Sequence, residues 1–467
     1  MTVADATPDY EVGSHNDRAF LGHPKGLGYL GFTEACERFS YYSMQTLLVL
    51  YMVNYLLKPG TMENVVGLSW VQNHIYHGIS GQPLASAIFG TYTALVYGTP
   101  ILGGIIADKW LGRDITLILG GVLMAIGHFL MAIQSAFIFA LVALVLGVGA
   151  FKGNIATQVG ALYGPNDLRR AMAFQIYYIF INVSVIIAPL ISGTLGQKVG
   201  WHYGFGCAGV VMVLGLIIYL SGRRWLAPEG RSVRTSEPVA KEPLTRGDWL
   251  CVLYLVILIP VLAVALLTNQ QIFNVYLTWG DQQFNLNLLG YSFPSSWLIT
   301  IDSAVSFTML VAVAAFWKWW GTKRREPDEI GKMIIGSVFS VAAGLCLFMA
   351  ALTQTSGHKI SMFWPMMFEL TNSIGFAHVL PISLALFSKI APRQLSATVI
   401  GLYYLSFFIA NALVGWVGGL YSSLPTTTFW LIHAGSAAFG LIAFVIFKVA
   451  IGNRMQGTSE DQVAALS

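Results

Sequence analysis

Charge is what this 467-residue chain has least of: 10% of its residues are Asp, Glu, Lys or Arg, against about 25% in an ordinary soluble domain. Beside 55% hydrophobic residues, that scarcity excludes an ordinary cytosolic enzyme, a disordered chain and a nucleic-acid binder. Cysteine is equally sparse. Cys36, Cys207, Cys251 and Cys346 are scattered through apolar runs, so neither a disulfide framework nor a zinc site is indicated. His74, His77, His202, His358, His378 and His433 form no metal-ligand pattern. No segment reads G-x-x-x-x-G-K-[ST], so nothing supports binding of a nucleoside triphosphate. No nucleophile–base constellation is visible either, and the chain is read as a non-enzyme without metal or cofactor. The first 25 residues are polar and hold Asp5, Asp9, Glu11 and Asp17, unlike a cleavable signal peptide, so the first helix is expected to be the first span.

What remains is long apolar runs. A spanning helix needs about 20 mostly apolar residues, and twelve segments qualify: 28–57, 84–107, 115–134, 136–163, 168–197, 204–221, 249–279, 294–320, 330–353, 361–389, 393–421 and 427–450. If the N-terminus is inside, Lys58, Lys198 and Lys359 fall on the outer side and Arg38 and Lys152 within the membrane. Every other Lys and Arg is then cytoplasmic or at a cytoplasmic helix end. This asymmetry predicts an even number of spans with both termini cytoplasmic. Residues 222–247 form the one long polar stretch between cytoplasmic span ends, a solvated linker dividing the spans six and six. The expected organisation is therefore a tail at 1–27, a six-helix bundle at 28–221, the linker at 222–247, a second bundle at 248–450 and a tail at 451–467. Trp317, Trp319 and Trp320 around Lys318 read as an interfacial belt.

Ionisable residues inside a membrane cost about 2.5–3.5 kcal/mol each on insertion scales, so they must face a partner or a cavity. In the first span Glu34, Glu37, Arg38, Tyr41 and Gln45 recur at i, i+3, i+4, i+7 and i+11, one face of one helix. At about 1.5 Å rise per residue, Glu37 lies about 13 Å deep and Lys152 of the fourth span about 18 Å above its cytoplasmic end. The depths allow pairing. Two carboxyl groups and two cations near the midplane form a network whose partners change when one carboxyl is protonated. A structural salt bridge is the plain alternative for any one of them.

Glu34-Ala35-Cys36-Glu37-Arg38-Phe39-Ser40-Tyr41-Tyr42 matches without a gap the E-x-x-E-R-F-x-Y-Y signature, and the chain resembles the proton-dependent oligopeptide transporter family. Residues 92–113 look like the family's second span, ending in the superfamily's charged loop with Asp108, Lys109 and Arg113, which the resemblance makes a gate. Phe151-Lys152-Gly153-Asn154-Ile155 is similar to its fourth span, and 174–193 to its fifth, with Asn182 at a ligand-contacting position. The implied fold is an all-α membrane protein, twelve transmembrane helices in two six-helix halves of the major facilitator type, here without the two extra helices of many bacterial members. The resemblance implies a proton-coupled symporter that imports di- and tripeptides by alternating access. It would sit in a bacterial inner membrane, work as a monomer and be driven by the proton gradient, with short peptide, protons and the lipid bilayer as its partners and no nucleic acid. Glu34, Glu37, Arg38 and Lys152 would couple protons and hold the peptide's carboxylate. Arg38, Tyr41, Tyr42, Tyr97, Lys152, Asn182, Glu369 and Tyr403 would line the pocket, although packing between helices is an equal reading for each tyrosine.

The second half departs from the family. The span-ten position usually held by glutamate, counted from Pro381, is Phe376, and Glu369 lies two turns earlier, on one face with Asn372 and Ser373. Span seven reads Thr268-Asn269-Gln270-Gln271 where many members have a glutamate, and Tyr403 replaces the usual tryptophan of span eleven. Against these losses span eight gains Asp302, about 12 Å down from its outer end. Asp302, with Glu369, is expected to supply the missing negative charge and to join the proton-coupling set. The alternative is a structural carboxylate capped by Ser306 and Thr300. The missing span-ten glutamate also keeps a modified peptide or another small solute open as the substrate.

Overall fold

The computed structural model describes residues 17–164, 167–227, 244–288, 290–354 and 357–452. Most of the two expected tails and residues 228–243 of the expected linker lie outside them. Twelve helical segments follow one another: α1 Lys25–Tyr51, α2 Gly81–Ile106, α3 Arg113–Met131, α4 Phe137–Ala161, α5 Arg169–Ala188, α6 Trp201–Gly222, α7 beginning with Arg246–Ala265, α8 Trp297–Gly321, α9 Glu329–Leu352, α10 Phe363–Ile390, α11 Ser396–Gly419 and α12 Thr426–Phe447. Eleven are long and apolar enough to cross a membrane. The twelfth, α1, is long enough, and what lowers its apolarity is the group Glu34, Glu37 and Arg38 that the sequence marks out. No further helix of spanning length occurs among the described residues.

Local chemistry sets the helix ends. Thr245 and Asp248 form a reciprocal capping box at the start of α7, and Asp328 caps α9 by accepting from Gly331 N at 3.0 Å. Gly112, at φ +77°, makes the left-handed turn between α2 and α3 that a side chain would strain. From Pro189, where a backbone donor is missing, α5 continues as wide turns to Val199. Before α1 the chain folds back under the bundle, with Arg169 donating to the carbonyls of Asp17 and Gly22 and His23 bonded to Tyr163 at 2.9 Å. Burial beside Arg169 lowers the His23 pKa from 6.5.

The seventh span is where the sequence reading of one continuous helix, 249–279, fails. The helix ends at Ala265; Leu267–Gln270 and Gln271–Phe273 form short turns, and Val275–Gln283 resumes the span after Asn274 at φ −116°, ψ −101°. The run Thr268-Asn269-Gln270-Gln271-Ile272-Phe273-Asn274 sits at this break. In place of regular helical bonds, polar side chains tie the region to its neighbours: Asn274 Nδ2 donates to the Val414 carbonyl and Asn274 Oδ1 accepts from Ser86.

α1 packs on α5 and α6, α4 on α2 and α3, and α3 on α6; in the second half α9 packs on α10 and α12, α10 on α8, and α7 on α11 and α12. Two seams join these groups, α2 on α11 and α5 on α8. Glycine makes both the seam and the neighbouring packing close. A Cβ on Gly90 of α2 would strike the backbone of Gly415 on α11, and one on Gly103 would strike the Gly149 carbonyl of α4. The second contact brings Lys152, one turn beyond Gly149, up to α2.

The seam also fixes which end is shut. At the end carrying loops 57–80 and 284–296, side chains bridge the two groups. Asp281 accepts from Asn54, just past α1, at 3.0 Å and from Gln197 at 3.3 Å; Gln197 also donates to Ser295, and Gln82 of α2 donates to the Gly418 carbonyl of α11. At the basic end the pairs Arg223–Asp114, Arg169–Asp167, Lys389–Glu329 and Lys448–Asp328 each close within one group. Gly90→Leu should therefore prise the loop end apart, at an overpacking cost of about 1–3 kcal/mol. Spin labels at Ser80 and Ser423 should report a longer mean separation than in the wild type, with a lowered melting temperature; unchanged distance and melting would refute the close-seam account.

Candidate functional site

The polar face of α1 points into the bundle. Glu34, Glu37, Arg38, Tyr41 and Gln45 are all buried, Glu37 completely. Neighbours on a helix do not normally face each other, yet the long Arg38 side chain folds back on Glu37 and grips it with two bonds, Nη2 to Oε1 at 2.6 Å and Nε to Oε2. The same Nε lies 3.3 Å from Glu34 Oε1, one turn back. Arg38 thus answers two carboxylates through its planar fork, while its guanidinium carbon stands 4.8 Å from the centre of the Tyr41 ring. Tyr177 of α5 lies beside Glu34.

Lys152 completes the charge balance without joining the pairing expected of it. Among the described residues no carboxylate lies within 4.0 Å of its Nζ. The ammonium sits instead 4.5 Å from the centre of the Tyr97 ring and 5.9 Å from that of Tyr41. The expected partnership of Lys152 with a first-span glutamate is therefore corrected: Arg38 has taken both carboxylates, and Lys152 acts on them through space. The physical reason is reach, since Arg38 shares the helix with Glu34 and Glu37 whereas Lys152 approaches from α4 behind the tyrosines.

Tyr97 has Lys152 over its ring, and Phe407 of α11 is stacked on it at 5.1 Å and 21°. Tyr42, also on α1, meets Phe273 at the α7 break at 6.2 Å. Both contacts cross between the two helix groups, so Tyr41, Tyr42 and Tyr97 surround the charged set on the side facing the second half. Lys152, Tyr42, Tyr97, Asn182, Asn269 and Asp302 all keep part of their surface open. The Asn182 side chain donates to the Tyr178 carbonyl one turn back on α5.

In the second half Glu369 and Asp302 are brought together, although they lie on different helices. They are hydrogen-bonding neighbours, and Tyr276, just after the α7 break, donates to Glu369 Oε1 at 2.6 Å. The alternative caps for Asp302 are both engaged elsewhere: Ser306 bonds Ser373 and Thr300 donates to the Ile186 carbonyl. Tyr403 is buried, its hydroxyl committed to Ser383 and the Leu380 carbonyl of α10, so its polar end ties helices together. The charged loop holds Asp108 and Arg113 at 3.4 Å with Lys109 exposed, entirely within the loop. The firmer tie at that end is Asp114, which accepts from Tyr219 of α6 at 2.6 Å and pairs with Arg223 just past that helix.

Several functional candidates escaped sequence reasoning. Asp281, the acid that joins the chain just past α1, the wide turns at the end of α5 and the chain just before α8, stands alone near the end of span seven, and that isolation was the available signal. Tyr276 carried no signal, because a tyrosine in an apolar helix reads as packing. The edge-to-face indoles at the end of α8 behave as a belt with one exception: Trp317 is buried and donates to His378 Nε2.

Comparison with known proteins agrees with this geometry. The family model described as Major Facilitator Superfamily matches residues 39–415. The chain is 28% identical to the peptide transporter YePEPT of Yersinia enterocolitica subsp. palearctica, over 86% of this chain and 89% of the relative. It is 26% identical to a di-/tripeptide transporter of Lactococcus lactis subsp. cremoris, over 93% and 96%. A crystal structure of a peptide transporter POT variant in complex with sulfate superposes with a TM-score of 0.78 at 26% identity, over 94% and 96% of the two chains. With a fold, a seam and an inward-facing charged first helix of this kind, the chain belongs to the Major Facilitator Superfamily and, within it, to the proton-dependent oligopeptide transporter family.

Proposed function

We propose that this protein is a proton-coupled symporter that imports di- and tripeptides by alternating access. The observation that carries the reading is the buried Glu34–Glu37–Arg38 set with Lys152 held beside it over Tyr97. The names of the relatives, a peptide transporter and a di-/tripeptide transporter, support the substrate class. The helices of 28–221 and 248–450 act as the two rocking halves around the seams α2–α11 and α5–α8, in a bacterial inner membrane, as a monomer with both termini cytoplasmic. In that orientation the shut end is outside, and the described arrangement faces the cytoplasm.

The chemistry follows from what each group holds. With Glu34 and Glu37 ionised, the Arg38 fork is occupied. A proton arriving on Glu37 cancels one of the charges Arg38 answers, and the guanidinium is released to a peptide carboxylate, a fit in both shape and charge. Lys152, with no carboxylate of its own, supplies the second cation. Tyr41, Tyr42 and Tyr97 wall the chamber, and Asn182 offers an amide to the peptide backbone. Asp302 with Glu369 supplies the negative charge for the amino end. When the proton leaves to the cytoplasm, Glu37 reclaims Arg38 and the peptide loses its anchor. The loop with Asp108, Lys109 and Arg113 gates the cytoplasmic side as the halves move.

Glu37→Gln should lower the accumulation reached in proteoliposomes under an imposed gradient of one pH unit by about tenfold, while exchange of peptide for peptide without net proton movement persists. Lys152→Gln should lose both, since the peptide carboxylate then lacks a cation. Accumulation equal to the wild type's in either variant would defeat the coupling scheme.

A second reading, a modified peptide or other small solute, draws on Phe376 at the family's usual glutamate position. Thermal-shift measurement separates the two. Unblocked di- and tripeptides should raise the melting temperature of the detergent-solubilised protein and N-acetylated ones should not; stabilisation by the blocked forms alone would favour the second reading.

A further inference from the structure

We propose that Asp302, Glu369 and Tyr276 form a second proton site, separate from the first-span network, in which one proton is shared between the two carboxyl groups. The inference rests on the reading of a proton-driven symporter and goes beyond it by assigning an additional proton to the second half.

The argument is one of unsatisfied atoms. Glu369 is completely buried, and its Oε1 accepts from the Tyr276 hydroxyl. Its other oxygen, Oε2, has no donor, and neither has Asp302 Oδ1, which is also buried. Both residues sit where every unpaired polar atom is expensive. Yet the two side chains are hydrogen-bonding neighbours. A hydrogen bond between two carboxyl groups requires a proton on one of them, and a single shared proton lets one carboxyl donate to the other while leaving the pair with one negative charge.

No cation performs that service instead. From α8 the group is Asp302, from α10 it is Glu369 and from α7 it is Tyr276; among the described residues no lysine, arginine or histidine acts on either carboxyl. This is the opposite of α1, where Arg38 answers two carboxylates. The same pair of charges is therefore balanced by a guanidinium in one half and by a proton in the other.

A second observation concerns the surroundings. One turn along α10 from Glu369, Asn372 is buried and its Nδ2 has no acceptor. Asn372 lines a small cavity of about 10 Å³ together with Thr268, Asn269, Ser337 and Ser340, at the α7 break. Such a space has room for about one water, and its buried amide donor and hydroxyls place polar groups one turn from Glu369. Asp302, by contrast, keeps part of its surface open. The shared proton thus has a polar neighbourhood on two sides, and no bond other than O–H is made or broken as it arrives from water and leaves to water.

The end-point accumulation of peptide measures the number of protons moved, because each cotransported proton multiplies it by the proton ratio. With the membrane potential clamped at zero and one pH unit imposed across proteoliposomes, the wild type should accumulate a zwitterionic dipeptide about 100-fold, and Asp302→Asn or Glu369→Gln only about tenfold. Weaker binding alone slows the approach without moving the end point. A wild-type ratio near tenfold, or variants that still reach the wild-type ratio, would overturn the second site while leaving proton-driven symport intact; no wild-type accumulation at all would instead defeat the symport reading. A measurement independent of transport covers variants that carry no peptide. Infrared difference spectra of the purified protein against each variant at neutral pH should show that Asp302→Asn and Glu369→Gln each lose protonated-carboxyl intensity. Undiminished intensity in either variant would also overturn the proposal.

Discussion

Arg38 is a permanent charge with almost no access to water, and the arrangement around it follows from that constraint. A buried guanidinium is tolerated only when its donors are answered and its charge balanced. Glu37 meets it with two bonds and Glu34 with a third contact, all from the same helix, so the face of α1 is balanced before any neighbour contributes. A surplus carboxylate charge remains, and Lys152 offsets it through space. The set is neutral as a whole and poised, since adding one proton anywhere on the carboxylates leaves a cation looking for an anion. In the proposed function, that imbalance is the physical content of coupling.

Neutrality by itself would give a static bridge. Mobility comes from how the halves are joined. Contacts between the two groups at the loop end are hydrogen bonds among Asn54, Asp281, Gln197 and Ser295, together with a glycine seam at Gly90 and Gly415. Such contacts are individually worth about 1 kcal/mol and can be remade. The ion pairs at the basic end stiffen each half internally. A molecule with firm halves and a replaceable seam has two arrangements to choose between, which alternating access requires.

The break in α7 connects the two sites. It places Phe273 against Tyr42 of the first half and, three residues past the last turn, directs Tyr276 at Glu369. An unbroken helix over 249–279 would offer regular backbone bonding and no reason for Asn274 to reach Ser86 and Val414. Discontinuous helices at membrane depth are tolerated where neighbouring polar groups satisfy them, and here the break is what brings a tyrosine to a carboxyl pair on two other helices.

How much of this could be read beforehand differs by kind of information. The first-span face was legible because its residues lie on one helix, where spacing alone dictates direction: positions three, four and seven apart share a side whatever the rest of the protein does. The twelve spans and the basic asymmetry were legible for a similar reason, hydrophobic length being a local property. Asp302 and Glu369 were each suspect as intramembrane acids, but their contact, the engagement of Ser306 and Thr300 elsewhere and the part played by Tyr276 depend on how α7, α8 and α10 cross. Lys152 shows the limit clearly. Its depth matched that of Glu37, and depth is one coordinate of three; the glycine contacts among α2, α3 and α4 decided that it would stand over Tyr97 instead of on a carboxylate. The sequence by itself determined composition, span number and the polar face of α1, since these arise within single helices. Which charges touch, which helix breaks and which end is shut were decided only by tertiary structure, because they depend on the distances between helices that no local pattern encodes.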